Sequence, residues 1–246
     1  MTGMKTLWFV TILGSLLAGG CALDDRSQTG SLVLRFEAYV EDEPLILHQV
    51  RYANPGGDGA FRVTDFRFFL SNIRLVHGTE EYRVPESYHL VRFDGEGQIY
   101  ELRLSGIPRL PYSEIHFGIG VDEAANSSIE SVGDLDPNSR MAWSWDVGYK
   151  FILFEGGLSL EDEVVPLVYH VGFNENYKPT RFTLERPLFD EEMESLTFIV
   201  DVMKLFRGAH TVDLSVLSSV KFDRSDARLL AENYAAMVAL CARPEC

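Results

Sequence analysis

The stretch FRVTDFRFFLSNIRLV (residues 61 to 76) carries two apolar runs separated by Ser71-Asn72, and LVLRFEAYV (32 to 40) alternates cleanly between apolar and polar residues. Side chains two apart in a strand share a face, so alternation predicts a strand with one buried face. Further strands are predicted at YHLVRF (88 to 93), IYELRL (99 to 104), EIHFGIGV (114 to 121), MAWSWDVGYKFILFEG (141 to 156), VVPLVYHVGF (164 to 173), TRFTLE (180 to 185), SLTFIVDVMKLF (195 to 206) and TVDLSVL (211 to 217). About ten short strands at this spacing predict an all-β fold, an antiparallel β-sandwich or barrel-like domain.

One helix is predicted, near the C-terminus, where SDARLLAENYAAMVALCA (225 to 242) has apolar residues at helical spacing and Ser225 as a candidate N-cap. Residues 122 to 140 are polar and predict a long loop with a short helical turn. The chain has 246 residues and is 46% hydrophobic, enough for one large core. No internal boundary is visible, so residues 32 to 246 are predicted to form a single domain.

The N-terminus has the layout of a secretory signal. Residues 1 to 20 contain Lys5 and an apolar run that ends in small residues before Cys21. This arrangement predicts a cleaved signal peptide and lipidation of Cys21, followed by a small, polar tether over residues 21 to 31. An ordinary signal peptide and an anchor helix are the alternatives. Because Ala22 and not Asp follows the cysteine, the predicted address in a Gram-negative cell is the outer membrane, periplasmic or surface-facing.

Cysteine usage and charge agree with export. Once Cys21 is assigned to the lipid, only Cys241 and Cys246 remain, and in an oxidising compartment they are predicted to pair. A soft metal is the alternative, although a structural zinc site would need two further ligands nearby. The formal net charge of −15 disfavours nucleic acid and anionic lipid surfaces, so membrane contact is expected only through the lipid anchor.

The segment MAWSW places Met141, Trp143 and Trp145 on one predicted strand face. Such a face is usually part of the core. A thioether beside two indoles would also suit copper better than calcium or magnesium. The nearby spacing Asp134-x-Asp136-x-Asn138 imitates the start of a calcium loop, but it lacks the later glycine and glutamate, so it indicates an ordinary acidic turn.

Among the six histidines, His170 and His116 each lie opposite the apolar face of a predicted strand. A lone strand histidine is commonly a hydrogen-bonded surface residue. No two histidines have the close spacing of a local metal motif, so a metal site would have to be assembled from distant strands. The chain also lacks G-x-S-x-G, H-E-x-x-H, a phosphate loop and C-x-x-C, which weakens an enzyme hypothesis.

Several segments, in order, carry a resemblance to a known family: FRVTDFRFFLSNIRLV (61 to 76), IHFGIGVD (115 to 122), GDLDPNSRMAWSWDVGYKFILFEG (133 to 156) and YHVGF (169 to 173). In S-N-I-x-L and in G-x-L-x-P…M-x-W-x-W…G-Y-x-F…E-G the chain resembles the MbnP-like family of exported copper-binding proteins. That family was first associated with methanobactin operons, and its members are often paired with a di-haem peroxidase of the MauG type.

The resemblance implies a β-sandwich-like protein in which a haem partner oxidises a tryptophan to kynurenine, which then binds copper together with histidine. It makes His170 the first candidate ligand and Trp143 or Trp145 the candidate for oxidation, with Met141 as a neighbour or weak ligand. A second histidine is expected, from His48 or His116. The chain would thus be the substrate of a haem enzyme and not itself an enzyme.

The chain also departs from the family pattern. Some members carry four cysteines, and where those have a cysteine before S-N-I this chain offers His48, so their disulfide pattern does not transfer. Two hypotheses follow. The first is an exported lipoprotein that binds a copper ion and acts in copper acquisition or handling with a MauG-like di-haem cytochrome c peroxidase. The second is a structural or ligand-binding surface lipoprotein without a metal.

Overall fold

The computed structural model describes residues 29–94, 98–128, 132–144, 148–189 and 193–242. Within these ranges the chain is built mainly of strands in two sheets, so the predicted all-β class with a C-terminal helix is confirmed. The predicted signal peptide, Cys21, Trp145 and Cys246 lie outside the described residues. None of the helices in the described ranges is long and apolar enough to cross a membrane.

The strands are β1 (Thr29–Val40), β2 (Glu43–Pro44), β3 (Tyr52–Ala53), β4 (Ala60–His77), β5 (Glu80–Arg83), β6 (Tyr88–Arg92), β7 (Ile99–Pro108), β8 (Glu114–Ile119), β9 (Ala142–Ser144), β10 (Gly148–Ser159), β11 (Val164–Gly172), β12 (Lys178–Thr183), β13 (Met193–Asp201), β14 (Ser219–Val220) and β15 (Val238–Leu240). The α-helices are α1 (Glu123–Asn126) and α2 (Arg224–Tyr234). Short 3₁₀ turns cover Asn174–Asn176 and Val202–Leu205.

The smaller sheet is arranged around β1. One edge of β1 pairs in parallel with β13, and β15 pairs with the far edge of β13. The other edge of β1 pairs antiparallel with β7 and then with β2. The parallel pair differs from the predicted all-antiparallel pattern. It arises because β13 reaches β1 only after the chain has passed through the larger sheet, and not through a hairpin.

The larger sheet is arranged around β4, which pairs with β3, β6 and β5 along one edge and with β10 and β8 along the other. β10 continues the sheet to β11 and β14, and β8 continues it to β12. The predicted break at Ser71-Asn72 is a bulge inside one continuous strand, because the register with β8 shifts there. Asn72 has a φ of 56° at this point, a left-handed conformation that asparagine tolerates better than most residues.

The main core lies between the two sheets. Phe36 of β1 stacks on Phe198 of β13, with ring centroids 5.2 Å apart, and meets Phe68 of β4 edge-on at 6.4 Å. All three rings are completely buried. Alternate residues of β1 are buried in the same way, which is what the sequence alternation predicts.

Three predicted elements have different limits. The segment 211 to 217 forms no strand and contributes only an isolated bridge between Thr211 and Arg207. The strand predicted over 195 to 206 ends at Asp201, whose side chain accepts a hydrogen bond from the Met203 amide and begins the 3₁₀ turn. β1 begins at Thr29, three residues inside the predicted tether.

The C-terminal helix is shorter than predicted. Its N-cap is Asp223, which accepts from the Asp226 amide, and not Ser225. It ends at Tyr234, and residues 238 to 240 form β15 because β13 offers an unpaired edge to them. In the predicted loop 122 to 140, α1 supplies the expected helical turn.

Candidate functional site

The segments that carry the family resemblance meet on the outer face of the larger sheet. On β10, Ile152 and Phe154 point into the main core, whereas Phe151 and Leu153 belong to a second, smaller core. We call this second cluster the outer core; its buried members are Phe69, Val121, Leu135, Met141, Tyr149, Phe151 and Leu153. β10 is therefore buried on both faces, and residues 122–128 and 132–144 supply the outer cover.

The bulge at Asn72 holds that covering segment in place. The Asn72 side-chain amide donates to Asp122 Oδ2 at 2.8 Å, and the Tyr88 hydroxyl donates to the same oxygen at 2.6 Å. Asp122 Oδ1 caps α1 by accepting from the amides of Ala124 and Ala125. Burial acts to raise the pKa of Asp122, but the hydrogen bonds from Tyr88 and Asn72 outweigh it and the pKa is lowered. S-N-I-x-L therefore has a structural role.

Asn126, at the end of α1, fixes the start of β10. Its side-chain oxygen accepts from the Tyr149 amide at 2.8 Å, and its side-chain amide donates to Asn174 Oδ1 at 2.8 Å. Gly148 has a φ of 84° and lies so close to Asn126 that a Cβ at this position would collide with the Asn126 side chain. The glycine of G-Y-x-F is thus required by both its backbone conformation and this close contact.

The indole of Trp143 lies against β11 at Gly172. A Cβ built on Gly172 would stand 2.6 Å from Trp143 Cζ3, a separation that real Cβ atoms do not show. The indole also contacts the rings of Phe173 and Phe222, with centroid separations of 5.4 and 5.3 Å. Phe222 is 61% exposed, so the stack runs from the sheet to the protein surface.

His170 lies on the same side of β11 as Gly172, because residues two apart in a strand share a face. Its side chain is 14% exposed, and its Nε2 is 3.1 Å from Glu155 Oε1. Its direct cross-strand neighbour on β10 is Leu153 of the outer core. Its Nδ1 forms no hydrogen bond with any described residue.

A line of charged side chains runs from His170 across β10 to β4. Glu155 Oε2 binds Arg140 at 2.7 Å, and Arg140 binds Asp65 at 2.6 Å. Lys150 is buried and its ammonium donates to the Arg140 carbonyl oxygen. Burial lowers the pKa of Lys150, and the charge of Arg140 lowers it further.

Burial is also the main reason that the pKa of His170 is lowered. The hydrogen bond to Glu155 acts in the opposite direction, and the charges of Lys150 and Lys221 add to the lowering. The lowered pKa favours the neutral imidazole, which is the form that can bind a metal.

The structure divides the predicted Met141 and Trp143 face. Met141 precedes β9 and its side chain is fully buried in the outer core, whereas Trp143 packs against the edge of the main core. The two side chains separate because β9 is only three residues long and Met141 lies in the turn before it. Trp145, the third predicted member, lies outside the described residues.

Neither candidate for the second histidine contacts His170. The His116 side chain on β8 is 2.7 Å from Glu114, and His116 is paired with Arg74 of β4. His170 is paired with Leu153 of β10, and Leu153 is paired in turn with Arg67 of β4. Seven residues along β4 correspond to about 23 Å. Within the described ranges, no group of three or more His, Cys, Asp or Glu side chains could hold a metal ion.

His48 is exposed, with a φ of 65°, and borders a cavity of about 190 Å³ that is also lined by Asp65. Asp65 is the far end of the line of ion pairs that runs through Arg140 and Glu155 to His170.

Two further predictions concern the turn at Asp134 to Asn138 and the cysteine Cys241, whose predicted partner Cys246 lies outside the described residues. Asp136 Oδ1 accepts from the Asn138 amide at 2.8 Å within the turn, and Asp134 Oδ2 accepts from the amide of Leu90 on β6 at 2.7 Å, which fits an acidic turn tied to the larger sheet. Cys241 is disulfide-bonded.

Sequence reasoning missed Glu155, Arg140 and Lys150 as neighbours of His170. Glu155 stands in the quoted E-G element, and its place two residues after Leu153 was a usable signal for the outer face. Phe222 was also missed, and its contact with Trp143 had no local signal because 79 residues separate the two positions.

The fold and this site define a β-sandwich protein with a mostly buried histidine on the outer face of its larger sheet and a tryptophan that packs against the same strand two residues further along. The MbnP family model matches residues 29–222. The chain belongs to the MbnP family.

A solved structure described as MbnP from Methylosinus trichosporium is similar in fold, with a TM-score of 0.56 and 16% sequence identity. The match covers 87% of this chain and 98% of that chain. At this identity the likeness bears on the fold alone. No curated protein matches the chain.

Proposed function

We propose that this protein is an exported lipoprotein that binds copper through His170 and an oxidised Trp143, and that it acts in copper acquisition or handling without catalytic turnover. Membership in the MbnP family supports a role related to the methanobactin copper system. The observation that carries the proposal is the contact of the Trp143 indole with Gly172, two residues from His170 on the same side of β11.

The residues present fit copper. Imidazole is a favoured copper ligand, and the lowered pKa of His170 favours its neutral form, with Nδ1 free of hydrogen bonds to described residues. An indole is a poor ligand because its nitrogen lone pair belongs to the aromatic system. Kynurenine instead offers an aniline nitrogen and a ketone oxygen, so oxidation of the tryptophan should precede binding. Met141 is fully buried, and we assign it to packing beneath the site.

The proposed oxidant is peroxide acting through a di-haem peroxidase of the MauG type. The stack of Trp143 with the exposed ring of Phe222 supports this part, because it offers a short aromatic route from the surface to the residue to be oxidised. Lipidation at Cys21 and an outer-membrane address are proposed from the sequence of residues 1 to 22.

The test is co-expression with the di-haem partner followed by peptide mass spectrometry and copper titration. Two equivalents of peroxide cleave the C2–C3 bond of the indole to give N-formylkynurenine and two waters, and hydrolysis releases the formyl carbon as formate. The net change from tryptophan to kynurenine is the gain of one oxygen atom and the loss of one carbon atom. We expect this change at Trp143 in the wild type and its loss in Trp143→Phe, with Trp145→Phe as the matched variant. We further expect His170→Ala to abolish copper uptake while His116→Ala leaves it unchanged. Unmodified Trp143 together with no copper uptake would refute the proposal.

A second candidate function, a ligand-binding surface lipoprotein without metal, is favoured by a cavity of about 330 Å³ beside Trp143. Its lining combines the rings of Trp143 and Tyr149 with the side chains of Asn126 and Asn138. Loss of stoichiometric metal uptake in His170→Ala, with a nearly unchanged melting temperature, would reject this second candidate.

A further inference from the structure

We infer that Glu155 is a positioning residue that holds the His170 imidazole in the tautomer protonated at Nε2, and so makes Nδ1 the nitrogen that faces a metal. The inference deepens the proposed function and rests on it. In the sequence, Glu155 stands out only as a member of the E-G element.

The hydrogen bond between the side chains of Glu155 and His170 determines which ring nitrogen carries the proton. Glu155 Oε1 is 3.1 Å from His170 Nε2. A carboxylate can only accept a hydrogen bond, so the proton must be on Nε2 and the lone pair of the neutral ring must be on Nδ1. Metal-binding histidines commonly use a carboxylate in this way to fix both tautomer and ring orientation.

A side chain that positions another must itself be held in place, and the neighbours of Glu155 hold its carboxylate. Its other oxygen, Oε2, is bound by Arg140 at 2.7 Å, and Arg140 is held in turn by Asp65 at 2.6 Å. Asp65 is directly across from Glu155 in the register of β4 and β10. The carboxylate is therefore fixed at both oxygens and cannot rotate away from His170 without breaking an ion pair.

The surroundings of His170 leave its Nδ1 atom available for a ligand. Leu153 is the cross-strand neighbour of His170, and the indole of Trp143 lies at Gly172 on the same side of β11. With Nε2 committed to Glu155, Nδ1 is the ring nitrogen left for a ligand, and no described residue hydrogen-bonds to it.

The experiment reads the tautomer in the metal-free protein, independently of copper. Long-range ¹H–¹⁵N correlation spectra, recorded at about pH 8 so that histidines are neutral, distinguish a protonated from an unprotonated ring nitrogen, and His170→Ala assigns the signals. We expect protonated Nε2 in the wild type and mixed tautomers in Glu155→Ala.

The matched control is Glu114→Ala. Glu114 holds His116 Nε2 at 2.7 Å and is itself bound by Arg181, so it repeats the arrangement far from the proposed site. This variant should alter the His116 signals and leave both the His170 tautomer and copper affinity unchanged. In oxidised protein, competition with a chromophoric chelator should show copper affinity falling about 10- to 100-fold in Glu155→Ala.

Each outcome decides one of the two proposals. Protonated Nδ1 in the wild type, or a tautomer unaffected by Glu155→Ala, overturns the inference. Equal copper affinity in the wild type and Glu155→Ala also overturns it. If the Nε2 tautomer depends on Glu155 but the oxidised wild type takes up no copper, the proposed function is overturned. The orientation of His170 by Glu155 then still stands.

Discussion

At the scale of single residues, Gly172 positions the indole of Trp143 because it has no side chain of its own. The H-x-G sequence looks like a strand with a histidine on its polar face, and nothing in it indicates why glycine follows. In the folded chain the indole of Trp143 occupies the space that a Cβ on Gly172 would need. The glycine thus brings the indole against the strand two residues from His170.

Gly172→Ala should therefore disturb the site directly. The new Cβ would stand 2.6 Å from Trp143 Cζ3 and 2.5 Å from the Tyr149 carbonyl oxygen. We expect a loss of stability of about 1–3 kcal/mol, as for other overpacking substitutions, and a red shift of tryptophan emission as the indole moves towards solvent. Chemical denaturation and fluorescence measure the two effects.

Gly157→Ala on the neighbouring strand is the matched control. Its nearest atom would be Val164 Cγ1 at 3.3 Å, a side-chain atom of a residue that is 56% exposed. A similar emission shift in this variant would contradict the assignment of the effect to the contact with Trp143.

At the scale of elements, one bulge in β4 organises the outer cover of the larger sheet. The polar pair Ser71-Asn72 was predicted to separate two apolar runs, and the structure shows a single strand that bulges at this point. The bulge aims the Asn72 side chain at Asp122, and Asp122 caps the helix that begins the covering segment. A local irregularity in one element thereby fixes the start of another.

Asn72→Ala should remove both features that this position needs. The hydrogen bond to a carboxylate contributes roughly 1.5–3 kcal/mol, and alanine tolerates a φ of 56° less well than asparagine. Asn72→Gly restores the backbone conformation alone and should recover part of the loss. Equal stability of Asn72→Ala and wild type in urea unfolding would contradict this role.

Stability should fall in acid partly through Asp122. Its pKa is lowered in the folded chain, because the hydrogen bonds from Tyr88 and Asn72 outweigh the opposing effect of burial. A lowered folded pKa means that the stabilisation is present above the unfolded pKa of about 3.9 and is lost as pH falls through the folded value. The stability difference between wild type and Asp122→Asn should therefore shrink below about pH 4, which urea unfolding across pH will measure.

At the scale of the whole molecule, the larger sheet is buried on both faces but by cores of different size. The main core joins the two sheets, whereas the outer core is covered by residues 122–128 and 132–144 and contains few buried side chains. Regions with fewer buried contacts open at lower free energy than the rest of a domain. The proposed site lies over the more easily opened side.

Met141→Ala should open that side alone. The substitution removes a fully buried side chain and should cost about 2–5 kcal/mol of local stability. Hydrogen exchange followed by mass spectrometry should show faster exchange in residues 132 to 144 while β1 and β13 stay protected. Phe36→Ala, in the main core, is the contrasting variant and should speed exchange throughout the sandwich.

Much of the fold was determined by the sequence itself. Alternation along β1, β4, β8 and β11 predicted strands and their buried faces, because a strand's period of two is a local property of the backbone. Local rules were less reliable at element ends. Asp223 took the capping role expected of Ser225, and residues 238 to 240 joined β13 although their spacing had suggested helix.

The sequence also named His170 and Trp143, and its motifs predicted the family. Only the tertiary structure decided that these two residues lie on the same side of β11, that Met141 lies in a different core, and that His116 is far away. It likewise decided that Glu155 meets His170, since strand register brings together residues 15 positions apart. Side-chain identity and alternation are encoded locally, whereas proximity depends on which strands pair and in what register, and long-range packing alone fixes that.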